Sequence, residues 1–362
     1  HELQVLVETL GCTAFLLNQP GRESLHHEHT MVDGLVYMAD RLVGPRAVRE
    51  LEITKFRGSK FLRGRHPFEI TDDGIVLHPR LEALLPHPSR PAAPHEDRKS
   101  FGIRRLDDMT MGGIPSGSTT VLLGAPGSGK TILGLHFLHQ GLRQGESATY
   151  LGFYESPQRL LAKAKALGMD LDTYIQTGQL DLIWLPAPDQ IPDAIADTIL
   201  RSARDRGVKR LVIDGVEPLQ DSMIYEDRVP RFLTSFMNEL RARDITAIFT
   251  SEMPDLFSDR IYLPIERMAG LVDNVVFVRY VELRSQLYRL LSIMKMRDSA
   301  YDTTIREFKI GSNGITVAST FKSAEAILTG VARPLPTTIN RDQSRSAPTV
   351  LEGDQDWEDA SS

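Results

Sequence analysis

A single cysteine, Cys12, stands in 362 residues. One thiol supplies neither a disulfide framework nor a cysteine zinc site, so the chain is expected in a reducing compartment, the cytoplasm. No apolar run approaches the length of a membrane span, and no charged-then-apolar leader is read at the front, so no membrane partner is expected. A surplus of positive charge is missing too. The net charge is −6 and the pI lies near 6.0, which argues against a general nucleic-acid partner. What remains is an ordinary globular composition, 41% hydrophobic and 25% charged, with room for more than one core. The chain opens on His1, and further sequence is expected upstream of it.

One stretch carries most of the chemistry. Gly124-Ala125-Pro126-Gly127-Ser128-Gly129-Lys130-Thr131 fits G-x-x-x-x-G-K-[ST], a phosphate-binding loop. Small residues let successive backbone N–H groups curl around a β-phosphate, and the following helix aims its positive end at the same place. Lys130 is expected on the β- and γ-phosphates, and the Thr131 hydroxyl on Mg²⁺. Thr119 to Leu123 reads as the strand before the loop, and Ile132 to Leu138 as the helix after it. Further on, Arg210-Leu211-Val212-Ile213-Asp214-Gly215 reads as a buried parallel strand whose terminal Asp214 faces the water shell of the Mg²⁺.

Around these motifs, strands and helices alternate, as a parallel sheet covered on both faces requires. Strands are expected at 148–153, 182–185 and 245–249. Helices are expected from Pro157 to Leu167 with Ser156 as N-cap, from Ile191 to a stop at Gly207, and through Phe232, Phe236 and Leu240. Two antiparallel strands, 274–281 and 287–296, follow, then Ile305 to Ile310 and a tight turn at 311–314. The expected fold class is α/β: a RecA-like P-loop NTPase with a central, mostly parallel sheet flanked by helices and an appended β-hairpin.

The chain also repeats itself. Lys55 and Arg57 recur 240 positions on as Lys295 and Arg297, and the same shift pairs Asp33 with Asp273, Arg49 with Arg289, Phe68 with Phe308 and Ile75 with Ile315. Residues 1–88 are therefore expected to be the C-terminal half of a first domain whose phosphate loop would lie before the chain begins. Residues 89–99 read as a proline-rich extended linker, 100–330 as a complete domain, and 331–362 as a disordered acidic tail.

Phe101-Gly102-Ile103, Leu106-Asp107, Gly112-Gly113-Ile114-Pro115, the loop itself, Tyr154-Glu155-Ser156, Ile213-Asp214 and Lys295-Met296-Arg297 together resemble the KaiC family of RecA-fold ATPases. That resemblance implies a double-domain ATPase that assembles into a ring, a hexamer, with ATP and Mg²⁺ at subunit interfaces. It also implies a signalling protein partner. It assigns Arg289, Lys295, Met296 and Arg297 to the ATP of the adjacent subunit, in the manner of an arginine finger. Catalytic roles then fall to Lys130, Asp214 and Glu155.

Three departures qualify the inheritance. The family commonly carries two adjacent glutamates where this chain has Tyr154-Glu155, and a phenol of ordinary pKa is a poor base at neutral pH. The serine–threonine pair that clock members phosphorylate falls here on Ala269 and Gly270, which carry no hydroxyl. Asp298 replaces the usual glycine after Lys-x-Arg, which the first copy keeps as Gly58. Alternatives left open are a serine/threonine autokinase acting on Ser299 or Thr303, a RecA/RadA-type DNA-repair ATPase, and an ATP-binding scaffold without turnover. His26, His27 and His29 read as a solvated loop rather than a metal site.

Overall fold

The computed structural model describes residues 2–18, 31–91, 96–186, 190–253, 268–283 and 285–318. The histidine cluster, the acidic tail and Arg284 of the hairpin turn lie outside them. Helix α1 (Glu2–Leu10) precedes β1 (Gly34–Val43), β2 (Arg46–Phe56), β3 (Arg65–Thr71) and β4 (Gly74–Leu77), which pair antiparallel in that order. A short α2 (Leu81–Leu84) leads to β5 (Arg98–Lys99), α3 (Arg104–Met109) and β6 (Ile114–Pro115). The main domain then runs β7 (Thr119–Gly124), α4 (Lys130–Arg143), β8 (Ser147–Gly152), α5 (Pro157–Ala166), α6 (Asp172–Gln176), β9 (Leu180–Trp184), α7 (Pro192–Arg206) and β10 (Val208–Asp214). It continues with α8 (Glu217–Asp221), α9 (Val229–Ala242), β11 (Thr246–Glu252), α10 (Met268–Leu271), β12 (Asn274–Leu283), β13 (Gln286–Met296), β14 (Arg306–Gly311) and β15 (Gly314–Val317).

Nine strands form one sheet in the order β15-β14-β13-β12-β7-β11-β10-β8-β9. The strands from β12 to β9 are parallel, and β13, β14 and β15 return antiparallel at one edge. Period-2 alternation divides the core between the two faces. Val121, Ile213 and Phe249 pack on one side with Ile199, Phe232 and Phe236. Leu122, Val212 and Ile248 pack on the other with Leu133, Phe137 and Leu160. Gly207, at φ +62°, closes α7 in the left-handed conformation a helix stop requires.

The first four strands reproduce the last four 240 residues later. β1 and β2 span the positions of β12 and β13, and the pairing slips at Leu35/Val36 in one copy and at Val275/Val276 in the other. A bulge at the same place in both copies follows from shared sequence rather than from general strand composition. The surroundings differ. Val276, Val278, Met296 and Ile315 are buried in the main core, whereas their counterparts Val36, Met38, Phe56 and Ile75 are about half exposed.

Two expectations change in detail. Both ends of the segment expected as an extended linker make contacts: Ser89 donates its amide to Glu239 (2.8 Å), and Arg98–Lys99 pairs with Ile114–Pro115. Ser156 occupies the N-cap position before Pro157 but makes no side-chain capping bond. Here the fixed φ of the proline and the backbone carbonyl of Ser156, which accepts from Leu160, start the helix.

The first copy docks through buried charge. Arg228 donates to Glu82 (2.8 and 3.0 Å) and to Asp193 (2.9 and 3.1 Å), and Asp193 also accepts the Leu81 amide (2.9 Å). Arg41 and Glu50 meet Tyr225, and Arg46 donates to the Ser222 carbonyl (3.3 Å). Every one of these contacts falls on the segment that follows α8 or on the start of α7.

Candidate nucleotide-binding site

Parallel strands bring their C-terminal ends to one edge, and in open α/β sheets that edge is where ligands bind. Register makes this concrete: Glu252 lies opposite Gly124, and Asp214 lies opposite Gly152. The loop Ala125–Gly129 therefore opens beside the ends of β11, β10 and β8. Gly124 must be glycine, because a Cβ would stand 2.2 Å from the Val278 carbonyl oxygen. Gly127 and Gly129 take φ +72° and +108°, conformations an L side chain rarely adopts. Tyr280 on β12 braces the loop by donating to the Gly127 carbonyl (2.6 Å).

Lys130 is 6% exposed, and its ammonium is folded onto the carbonyls of Gly124 (2.9 Å) and Ala125 (3.0 Å). Glu252 lies 3.7 Å away. Burial lowers the pKa of Lys130, while Glu252, Asp214 and Glu217 pull it up. Thr131 donates to Asp214 Oδ2 (2.8 Å), Tyr150 donates to the same oxygen (2.7 Å), and Thr250 donates to Oδ1 (2.7 Å). The Ser128 hydroxyl is buried without a partner. The residues fit a triphosphate with Mg²⁺: glycine amides and a buried lysine for phosphate, and a hydroxyl beside a carboxylate for the metal. Among the described residues no three-membered His/Cys/Asp/Glu cluster could hold a metal alone.

Gly124 through Thr131 and Asp214 thus converge on one place. Glu155 is drawn elsewhere: its carboxylate accepts from Lys163 on α5 (2.5 Å). Tyr154 lies over Gly215 and stays 68% exposed, while partial desolvation and the charges of Glu217, Glu252, Asp221 and Asp214 push its hydroxyl up to about 12. The residues expected in trans divide. Asn274 pairs with both Thr120 and Met296, so Lys295 and Arg297 sit at the start of β7, a strand's length from the loop of their own chain. Lys295 donates to the Val272 carbonyl (2.7 Å) and Arg297 to Asp273 (3.3 Å). Met296 turns inward on the alternating strand and is 6% exposed, so its side chain belongs to the core. Arg289 lies at the other end of β13. Its guanidinium stacks on Tyr280 at 5.2 Å, beside the chain's own loop and not with the Lys295–Arg297 pair.

Four functional groups were not read from the sequence: Tyr150, Glu217, Thr250 and Glu252. For Tyr150, Thr250 and Glu252 the signal was polarity toward the C-terminal ends of otherwise apolar strands, while Glu217 opens α8 three residues after Asp214. Thr250-Ser251-Glu252 ends β11 in this way, but only the strand order shows that it ends beside Gly124.

A nine-stranded, mainly parallel sheet with a phosphate loop after its central strand defines a RecA-like P-loop fold. The family described as "ATPase: KaiC" matches residues 1–82 and again 100–321. The chain belongs to that family. The circadian clock oscillator protein KaiC of Rippkaea orientalis is 30% identical over 330 residues, 91% of this chain and 61% of that protein. The same-named protein of Synechococcus elongatus is 29% identical over 330 residues, again 91% and 61%. The chain spans about three fifths of the length of these relatives.

Proposed function

We propose that the protein binds and hydrolyses ATP with Mg²⁺ as a KaiC-like ring, a hexamer, in a clock-like or other signalling role in the cytoplasm. The observation that carries this reading is the convergence of a complete phosphate loop, the buried Lys130, and the Thr131–Asp214 pair at one edge of the sheet. Lys130 holds the β- and γ-phosphates, Thr131 and Asp214 hold Mg²⁺, and the backbone amides from Ala125 to Gly129 orient the phosphates. The cation supplies charge neutralisation on the phosphate oxygens; three carboxylates near Lys130 make it necessary, since they repel a bare triphosphate.

Lys295 and Arg297 complete the pocket of a neighbouring subunit, because on their own chain they stand at the far end of β7 from the loop. Residues 1–88 are the back half of a first domain of the same kind, supported by the shared bulge and the half-exposed apolar face. A kinase acting on the inherited positions is not part of this reading, since Ala269 and Gly270 offer no oxygen to phosphorylate. The test is Lys130→Ala: MgATP binding, read by calorimetry, falls at least a hundredfold while the circular dichroism spectrum is retained. Unchanged affinity in that variant overturns the site.

A further inference from the structure

We propose that Glu217 is the general base for the attacking water, supplying from the first turn of α8 the carboxylate that the family places at position 154. The inference rests on the ATPase reading above. It starts from a deficiency. Tyr154 cannot take a proton from water near neutral pH, and Glu155 is held in its ion pair with Lys163. Asp214 already accepts from three hydroxyls and is the carboxylate proposed for Mg²⁺. Glu252 is half exposed and faces the Lys130 ammonium.

Glu217 is different. Its Oε1 accepts from the Ser251 hydroxyl (2.7 Å) and from the Glu252 amide (2.8 Å), which fixes the plane of the carboxylate. Its Oε2 is buried and has no hydrogen-bond partner. A buried carboxylate oxygen without a donor is costly, and native folds keep such atoms where a ligand or water fills the gap. Position supports the role. Tyr154 and Pro218 both lie over Gly215, where an added Cβ would come within 2.9 Å of the tyrosine ring and 3.2 Å of the proline ring. Glu217 is the leading charge acting on the Tyr154 hydroxyl, and its charge also reaches Lys130. Geometry places the carboxylate beside the loop: the Glu252 whose amide it accepts lies opposite Gly124 and 3.7 Å from the Lys130 ammonium. Burial also raises its pKa, which strengthens it as a base.

In the step, Glu217 Oε2 takes one proton from water as the water oxygen bonds to the γ-phosphorus. The bond from that phosphorus to the β–γ bridging oxygen breaks, and its electron pair leaves on ADP. The products are ADP and inorganic phosphate, and the proton returns from Glu217 to solvent.

The experiment loads the full chain with MgATP. It measures affinity by calorimetry, the ATP:ADP ratio retained on the protein by chromatography, and phosphate release. Glu217→Gln is expected to bind MgATP within about threefold of the parent, to retain ATP rather than ADP, and to release phosphate roughly 10²–10⁴-fold more slowly. Adding Tyr154→Glu to that variant is expected to restore at least tenfold of the loss, which a merely structural role for Glu217 would not permit. Parental phosphate release in Glu217→Gln, loss of its nucleotide affinity, or a double variant no faster than the single one each overturns the proposal. A parent chain that binds MgATP without turnover overturns it as well, leaving the binding reading intact. A parent chain that binds no MgATP removes the nucleotide reading itself.

Discussion

Asp298 shows how a single backbone angle ties stability to function. It sits at φ +55°, in the left-handed region, directly after Arg297. The equivalent Gly58 takes φ +78° in the first copy. Aspartate tolerates this conformation better than most residues, yet it still carries a steric cost that glycine avoids. In sequence it also follows directly on the cations proposed for a neighbour's phosphate. Asp298→Gly is expected to raise the unfolding free energy by up to about 1 kcal/mol in urea titration. It is also expected to tighten MgATP binding in the assembled protein. Neither gain would appear if Asp298 made a compensating contact. The turn was legible from the missing glycine; the angle that makes the substitution costly was not.

Between elements, His136 links α4 to the antiparallel edge of the sheet. Its Nε2 accepts the Ile315 amide of β15 (3.1 Å), so the ring must be neutral on that nitrogen. Burial first, and the neighbouring His139 second, lower its pKa to about 4. The unfolded chain binds this proton near pH 6.5, and the folded chain does so only near pH 4. The stability that the neutral ring contributes is therefore present above pH 6.5 and lost as the pH falls toward 4. Between pH 7 and 5 the loss is roughly 1 kcal/mol once partial exposure is discounted. His136→Gln keeps an acceptor but cannot titrate. Its urea midpoint is expected to change less between pH 7 and 5 than the parent's, and an equal change would refute the assignment. From the sequence, His136 was one more position on a buried helix. Element types and most strand limits followed from periodicity, but partners 179 positions apart, such as His136 and Ile315, depend on the sheet order. Arg210 is the extreme case. Its strand was recognised as apolar, yet its fully buried guanidinium is satisfied by Glu146, Gln144 and the carbonyls of Ser100 and Phe137. No pattern within β10 announces those partners.

At the scale of the whole molecule, the proposed pocket draws on two separate places in the chain. The phosphate loop, Thr131 and Asp214 stand at the C-terminal edge of the sheet, while Lys295 and Arg297 stand at the opposite end of β7. Neither set can serve the other within one chain. A head-to-tail contact would let each subunit offer its cations to the next, and repetition of such a contact closes into a ring when the rotation permits. This arrangement makes a demand on mixtures that a self-contained active site does not. Lys130→Ala destroys the cradle but leaves the cations, and Arg297→Ala removes a cation but leaves the cradle. Each variant alone is expected to lose at least tenfold in phosphate release, by the reasoning for charge supplied in trans. Mixed in equal amounts, they form interfaces in which an Arg297→Ala cradle meets the intact Arg297 of a Lys130→Ala subunit. Turnover in the mixture is then expected to rise at least about twofold above the average of the two separate variants, toward a quarter of the parent rate for random mixing. The quarter follows because one junction in four pairs an intact cradle with an intact arginine. Activity that remains at the simple average, under conditions where light scattering shows mixed assemblies, would place the whole site within one chain and remove the trans role of Arg297.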